Sequence, residues 1–149
     1  MKIKVICVGK IKEKYLSDGI SDFSGQIRKK AELEIIELPD EKTPQGASLI
    51  MENKIREEEG RRILQKVQQK DHVFALCIEG KQLSTKQFED RIRVLRDQGV
   101  GTITFIIGGS LGLSSEVTAI AKDKISFSAM TFPHQLMRMI LLEQLSQVV

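Results

Sequence analysis

Five short runs of aliphatic and β-branched residues recur along the chain, separated by segments whose apolar residues fall at helical spacing. No other feature of the sequence restricts the fold as much. The runs are residues 2–8, 33–38, 73–78, 103–107 and 124–128, and runs of this length closed by Gly, Pro or Asp read as strands. The first carries Ile3, Val5, Ile6, Cys7 and Val8 and stops at Gly9. Ile11, Tyr15, Leu16, Ile20, Phe23 and Ile27 then recur at three and four, which predicts a helix with one apolar stripe. Strands alternating with helices predict an α/β fold: an open, mostly parallel sheet covered by helices on both faces, with right-handed crossovers. The 149 residues suit a single domain, 1–149.

The connecting segments sharpen this. Pro39-Asp40-Glu41 and Thr43-Pro44-Gln45-Gly46 make a turn-rich loop before a helix expected over 47–69. That helix has an apolar line through Met51, Ile55, Ile63, Leu64 and Val67, and its charges at Glu57, Glu58, Glu59, Arg61 and Arg62 read as a solvated face. The unbroken apolarity of 73–78 predicts a strand covered on both sides, placed mid-sheet and ended by Glu79-Gly80-Lys81. Ser84 with Gln87 forms a capping box ahead of Phe88, Ile92 and Leu95, and Gly99 closes that helix. Ser114 precedes a short helix through Val117 and Ile120, and Pro133 suits the first turn of a final one.

Several functions are excluded. The apolar runs are too short to span a membrane and Lys2 and Lys4 interrupt the first, so no signal peptide or membrane partner is expected and the protein is placed in the cytoplasm. Cys7 and Cys77 sit in apolar runs without ligand-spaced neighbours, which predicts buried free thiols and no metal. A net charge of +3 permits an anionic partner without requiring one. No Ser/His/Asp or Cys/His triad is visible.

What remains is a rim of loops. Strands three, four and five should end together near residues 76–80, 107–109 and 127–132, where parallel α/β sheets bind ligands. Gly108-Gly109-Ser110-Leu111-Gly112 would let backbone approach a ligand, yet it lacks the spacing of a dinucleotide fingerprint, and Gly80-Lys81 is no P-loop. Seen alone, either glycine cluster is also a plain helix-entry turn. His72 is expected to be exposed. His134 and Arg138 are one helical turn apart and could face a phosphate or a base from one side of the last helix, the competing readings being a structural His and a surface Arg. That helix is apolar round most of its circumference, through Leu136, Met137, Met139, Ile140, Leu141, Leu142 and Leu145. It therefore packs on more than one partner, which points to a homodimer, or it is an amphipathic helix with a greasy end.

Particular stretches also carry a resemblance. Val8-Gly9-Lys10-Ile11-Lys12-Glu13-Lys14-Tyr15, Ile36-Glu37-Leu38-Pro39-Asp40-Glu41-Lys42, Glu79-Gly80-Lys81, Phe105-Ile106-Ile107-Gly108-Gly109-Ser110-Leu111-Gly112-Leu113 and Ser126-Phe127-Ser128 on through Met130-Thr131-Phe132-Pro133-His134-Gln135-Leu136-Met137-Arg138 follow one another over nearly the whole length. Together they resemble the large-subunit ribosomal RNA methyltransferase H (RlmH) family, of the SPOUT class of α/β-knot methyltransferases. The resemblance implies a C-terminal trefoil knot and an S-adenosylmethionine site held by Leu76, Gly108, Phe127, Ser128, Ala129, Met130, Thr131 and Phe132. It further implies a homodimer that methylates N3 of a pseudouridine in the helix 69 loop of 23S rRNA on the assembled ribosome. An imide nitrogen must lose its proton, so a base or a positive charge beside the ring would help, and Arg138 and His134 are the candidates. One departure follows Glu143-Gln144: the family continues with Tyr-Arg-Ala and a tail near Pro-Tyr-His-Lys, whereas this sequence reads Leu145-Ser146-Gln147-Val148-Val149. The resemblance thus carries an alternative expectation, a non-catalytic or impaired cofactor- or ribosome-binding homologue.

Overall fold

A computed structural model describes all residues, Met1 to Val149. The strands are β1 (Lys2–Val8), β2 (Glu32–Leu38), β3 (His72–Gln82), β4 (Thr102–Ile107) and β5 (Asp123–Ser126); the helices are α1 (Lys14–Arg28), α2 (Leu49–Leu64), α3 (Thr85–Asp97), α4 (Ser115–Ile120) and α5 (His134–Val148). The strands form one sheet in the order β2-β1-β4-β3-β5, and every pairing is parallel. The α/β fold stands, with one revision: β4, not β3, is central. Both strands are continuously apolar, and pattern alone does not rank them.

Alternation along the strands sorts the side chains into two layers. Ile3, Val5 and Cys7 of β1 join Phe74, Phe105 and Ile107 in the larger core, roofed by α1, α3 and α5 through Ile27, Phe88, Ile92, Leu141 and Leu145. Ile6 and Val8 join Val73 and Ile106 in the smaller one, under α2 and α4 through Ile63 and Val117. Phe74 stacks on Phe105 with ring centroids 4.9 Å apart, and Phe88 meets both edge-on. The capping box of Ser84 and Gln87 is present, Gly99 takes φ +83° just beyond α3, and Ser48 and Ser114 cap α2 and α4.

Boundaries and exposures differ locally. α1 begins after Ile11, and Tyr15 points to solvent, so the stripe is Leu16, Ile20, Phe23 and Ile27. α2 ends at Leu64 and leaves Val67 of the expected apolar line outside the helix, Met51 within it is exposed and not on the buried stripe, and β5 ends at Ser126. Pro133 is the residue capping α5 and not its first helical one. His72 is buried, with its Nε2 2.6 Å from Asp123 Oδ2, a carboxylate that Arg91 also grips. α5 spends part of its apolar excess inside the chain, because it packs on the sheet through Leu141, Leu142 and Leu145 and against Gly19 of α1 through Met139.

A buried ion pair ties the amino ends of the strands. Lys4 Nζ lies 2.7 Å from Asp71 Oδ2 and donates to Lys66 O at 2.8 Å, while Thr104 Oγ1 and the Gln68 amide donate to the same carboxylate. Burial pushes the Asp71 carboxyl up, but the bonds from Lys4, Gln68 and Thr104 outweigh it and hold its pKa below the ordinary value. Lys4→Met strands a buried carboxylate and is expected to cost about 3–5 kcal/mol in urea unfolding at neutral pH. With a folded pKa below the unfolded one of about 3.9, this contribution is complete above pH ~5 and fades as pH falls through the folded value. The gap between wild type and Lys4→Met should therefore narrow in acid; a gap independent of pH would remove Asp71 from the explanation.

Candidate functional site

The carboxyl rim of the sheet holds a cavity of about 790 Å³, within the range of small-molecule sites. Its walls are Leu76 to Glu79 of β3, residues 107–113 after β4, and residues 125–128 and 130–134 after β5, with Met137 and Thr118 behind. It opens where the strand order doubles back, since β4 inserts between β1 and β3 before the chain crosses to β5 on the outside.

Each wall has a local cause. β3 does not end at Glu79: Ile125 pairs with both Leu76 and Lys81, so Cys77, Ile78, Glu79 and Gly80 bulge out of register over the rim. Gly108 is glycine because a Cβ there would come within 2.9 Å of the Gly112 carbonyl carbon and of Leu113 Cδ2, so a bare backbone edge faces the cavity. Gly112 takes φ +82° and donates to Gly109 O at 3.0 Å, closing the turn. In the third wall Ser126 Oγ donates to Ser128 O at 2.8 Å and the Met130 amide donates to Ser128 Oγ at 2.9 Å. The chain thus turns sharply, and Met130 is left largely exposed.

Of the residues expected at a cofactor, Leu76, Gly108, Phe127, Ser128, Met130, Thr131 and Phe132 line this one cavity; Ala129 lies in the same loop, exposed and outside the lining. His134 lines it too. Its ring sits against Gly9, its Nε2 is buried with no hydrogen-bond partner, and burial, then the nearby Arg138 charge, lower its pKa against the pull of Asp40, leaving a neutral imidazole at neutral pH. Arg138 is placed differently. It is 2% exposed, paired with Glu37, and donates to Gly9 O at 2.9 Å, so it fastens the start of α5 to the ends of β1 and β2 and does not line the cavity.

Sequence reasoning missed two contributions. Cys77, expected to be buried, is half-exposed and lines the cavity beside Ile78 and Glu79; the signal was Gly80, since a glycine inside a strand pattern marks a bulge. Glu59, expected in a solvated face, is buried beneath Gly109 and accepts from the Glu41 amide at 2.9 Å, while Arg56 Nε donates to Leu111 O at 2.9 Å. α2 thereby braces the glycine loop from outside. No group of three or more His, Cys, Asp or Glu side chains is placed to share a metal ion, and no helix is long and apolar enough to cross a membrane.

An all-parallel sheet with a backbone-edged cavity at its carboxyl rim defines a protein of the doubly wound α/β class, the class that places ligands at this rim. The family described as predicted SPOUT methyltransferase matches residues 1–148. Among curated relatives, the ribosomal RNA large subunit methyltransferase H of Streptococcus uberis is 53% identical over 145 residues, 97% of this chain and 91% of the relative. The proteins of that name from Streptococcus pneumoniae strains CGSP14 and TIGR4 are each 52% identical over the same shares. The chain belongs to the SPOUT methyltransferase family.

Proposed function

We propose that this protein methylates ribosomal RNA with S-adenosylmethionine as donor, at N3 of a pseudouridine in the helix 69 loop of 23S rRNA, in the cytoplasm and as a homodimer. The observation that carries the reading is the cavity, where a bare Gly108 edge and the self-braced loop of 126–130 offer backbone groups and apolar walls together. That combination suits an adenine, whose flat face is apolar and whose edge carries donors and acceptors. The relatives' shared name supports the substrate class, and 53% identity across 97% of the chain favours an enzyme over the non-catalytic alternative. The trefoil knot belongs to the same reading, with 107–113 and 126–134 as its neighbouring loops.

When bound, the cofactor supplies a methyl group on a sulfonium: transfer leaves the S–C bond electrons on sulfur as a neutral thioether, and the accepting nitrogen gives up its proton. The chain's own part is to hold the ligand, exclude water and receive or offset that proton. His134 lines the cavity as a neutral imidazole and is placed to face the accepting base, its buried Nε2 lying against Gly9, while Arg138 acts through the position of α5. Labelled S-adenosylmethionine, 70S ribosomes and nuclease mapping of the product test the proposal. Label at the helix 69 pseudouridine is expected; label elsewhere, or none from a protein that binds the cofactor, would overturn the assigned substrate.

A further inference from the structure

The cavity is nearly without formal charge. Its titratable lining groups are Cys77, Glu79 and His134. Burial, with Glu79 adding to it, raises the Cys77 thiol above its ordinary value, and the His134 imidazole is lowered, so both are neutral at neutral pH. Arg138, the nearest buried cation, lies outside the lining and is paired with Glu37. Glu79 alone brings a charge. No lysine, arginine or histidine of the chain forms an ion pair with it, and Lys124, the cation whose field reaches neighbouring Cys77, is exposed on β5. Its location has a structural cause, because Ile125 pairs with Leu76 and again with Lys81, and the register break puts Glu79 over the rim.

We infer that Glu79 makes the cavity selective for a cationic ligand, so that it favours the methyl donor over its demethylated product. The inference rests on the methyl-donor reading above. S-adenosylmethionine carries one positive charge more than S-adenosylhomocysteine, and the two are otherwise nearly the same shape. Walls that are apolar or made of backbone hold both alike; a lone carboxylate does not. A unit charge at the mouth of a half-open cavity is worth about a tenfold preference at the effective dielectric of a protein surface. The same preference speeds discharge of spent cofactor, because the ligand's attraction to the wall falls when its sulfur loses charge.

Calorimetric titration of wild type, Glu79→Gln and Glu79→Asp with each ligand, at low and moderate salt, tests this. Glu79→Gln keeps the shape and removes the charge. It is expected to weaken S-adenosylmethionine by about tenfold and leave S-adenosylhomocysteine within about twofold, and to abolish the salt dependence of their affinity ratio. Glu79→Asp should retain most of the preference. An equal loss for both ligands, or no loss for either, would overturn the charge role while leaving the cofactor site in place. Wild type that binds neither ligand would instead bring down the methyl-donor reading itself.

Discussion

Gly80→Ala is expected to unfold at much lower denaturant than wild type. An added Cβ would lie 2.6, 2.7 and 2.8 Å from the carbonyl carbon, nitrogen and carbonyl oxygen of Ile125. These are backbone atoms of β5, already hydrogen-bonded to β3 on both sides of the bulge, so no rotamer can move aside. Relief requires β5 to separate from β3 and to drag with it Ile125, part of the larger core. Overpacking against backbone costs about 3 kcal/mol or more, which for a chain of this size lowers the Tm by on the order of 10 °C. Urea unfolding followed by far-UV circular dichroism reads it directly. A midpoint equal to wild type would mean that the two strands do not cross this closely.

Gly108→Ala should act on binding before stability. Its Cβ would meet the Gly112 carbonyl carbon and Leu113 Cδ2 at 2.9 Å and Gly112 O at 3.0 Å, all within the loop it opens. That loop lies beyond the end of β4 and is braced from outside by Arg56 at Leu111 and by Glu59 beneath Gly109, so relief of the clash moves the loop toward the cavity and not the strands of the sheet. The expected result is a loss of S-adenosylmethionine affinity of at least about tenfold, or about 1.4 kcal/mol, with a Tm within a few degrees of wild type. Unchanged affinity would move the cofactor away from this edge. The two glycines separate cleanly: one guards the crossing of two strands, the other the wall of the site.

The difference between what the residues announced and what the folded chain revealed follows the range of the interactions. Ser84 with Gln87, and Gly99, act on backbone a few residues away, and each appears in the structure as read. The loops at the cavity were legible for the same reason, because Gly108 and the stretch after Ser126 punctuate the pattern locally. The misses depend on partners far along the chain. His72 looked exposed at the head of its strand, but Asp123 and Arg91 bury it. Arg138 was legible as a cation facing a phosphate or a base, or else as a surface arginine, and the sequence does not show that Glu37 and Gly9 claim it across the fold. Glu59 sat in a charged run whose neighbours do face water, and only the close approach of Gly109 and the Glu41 amide distinguishes it. β3 seemed to stop at a polar Glu-Gly-Lys because a bulge is polar for the same reason a turn is: its backbone leaves the ladder.

The doubled pairing of Ile125 bears on how such a site can diversify. Most of the cavity's walls are bound to the spacing of strands or to tight turns, where a change of length would slip every side chain onto the opposite face. Residues 77–80 escape that constraint, since the hydrogen-bonded ladder is interrupted before them and restarts after them on the same partner. Side chains at 77–79 can be exchanged without slipping the register of β3 on β5, so long as the residue crossing β5 stays without a Cβ. The segment is a natural aperture, adjustable in width and charge, set into an otherwise rigid frame.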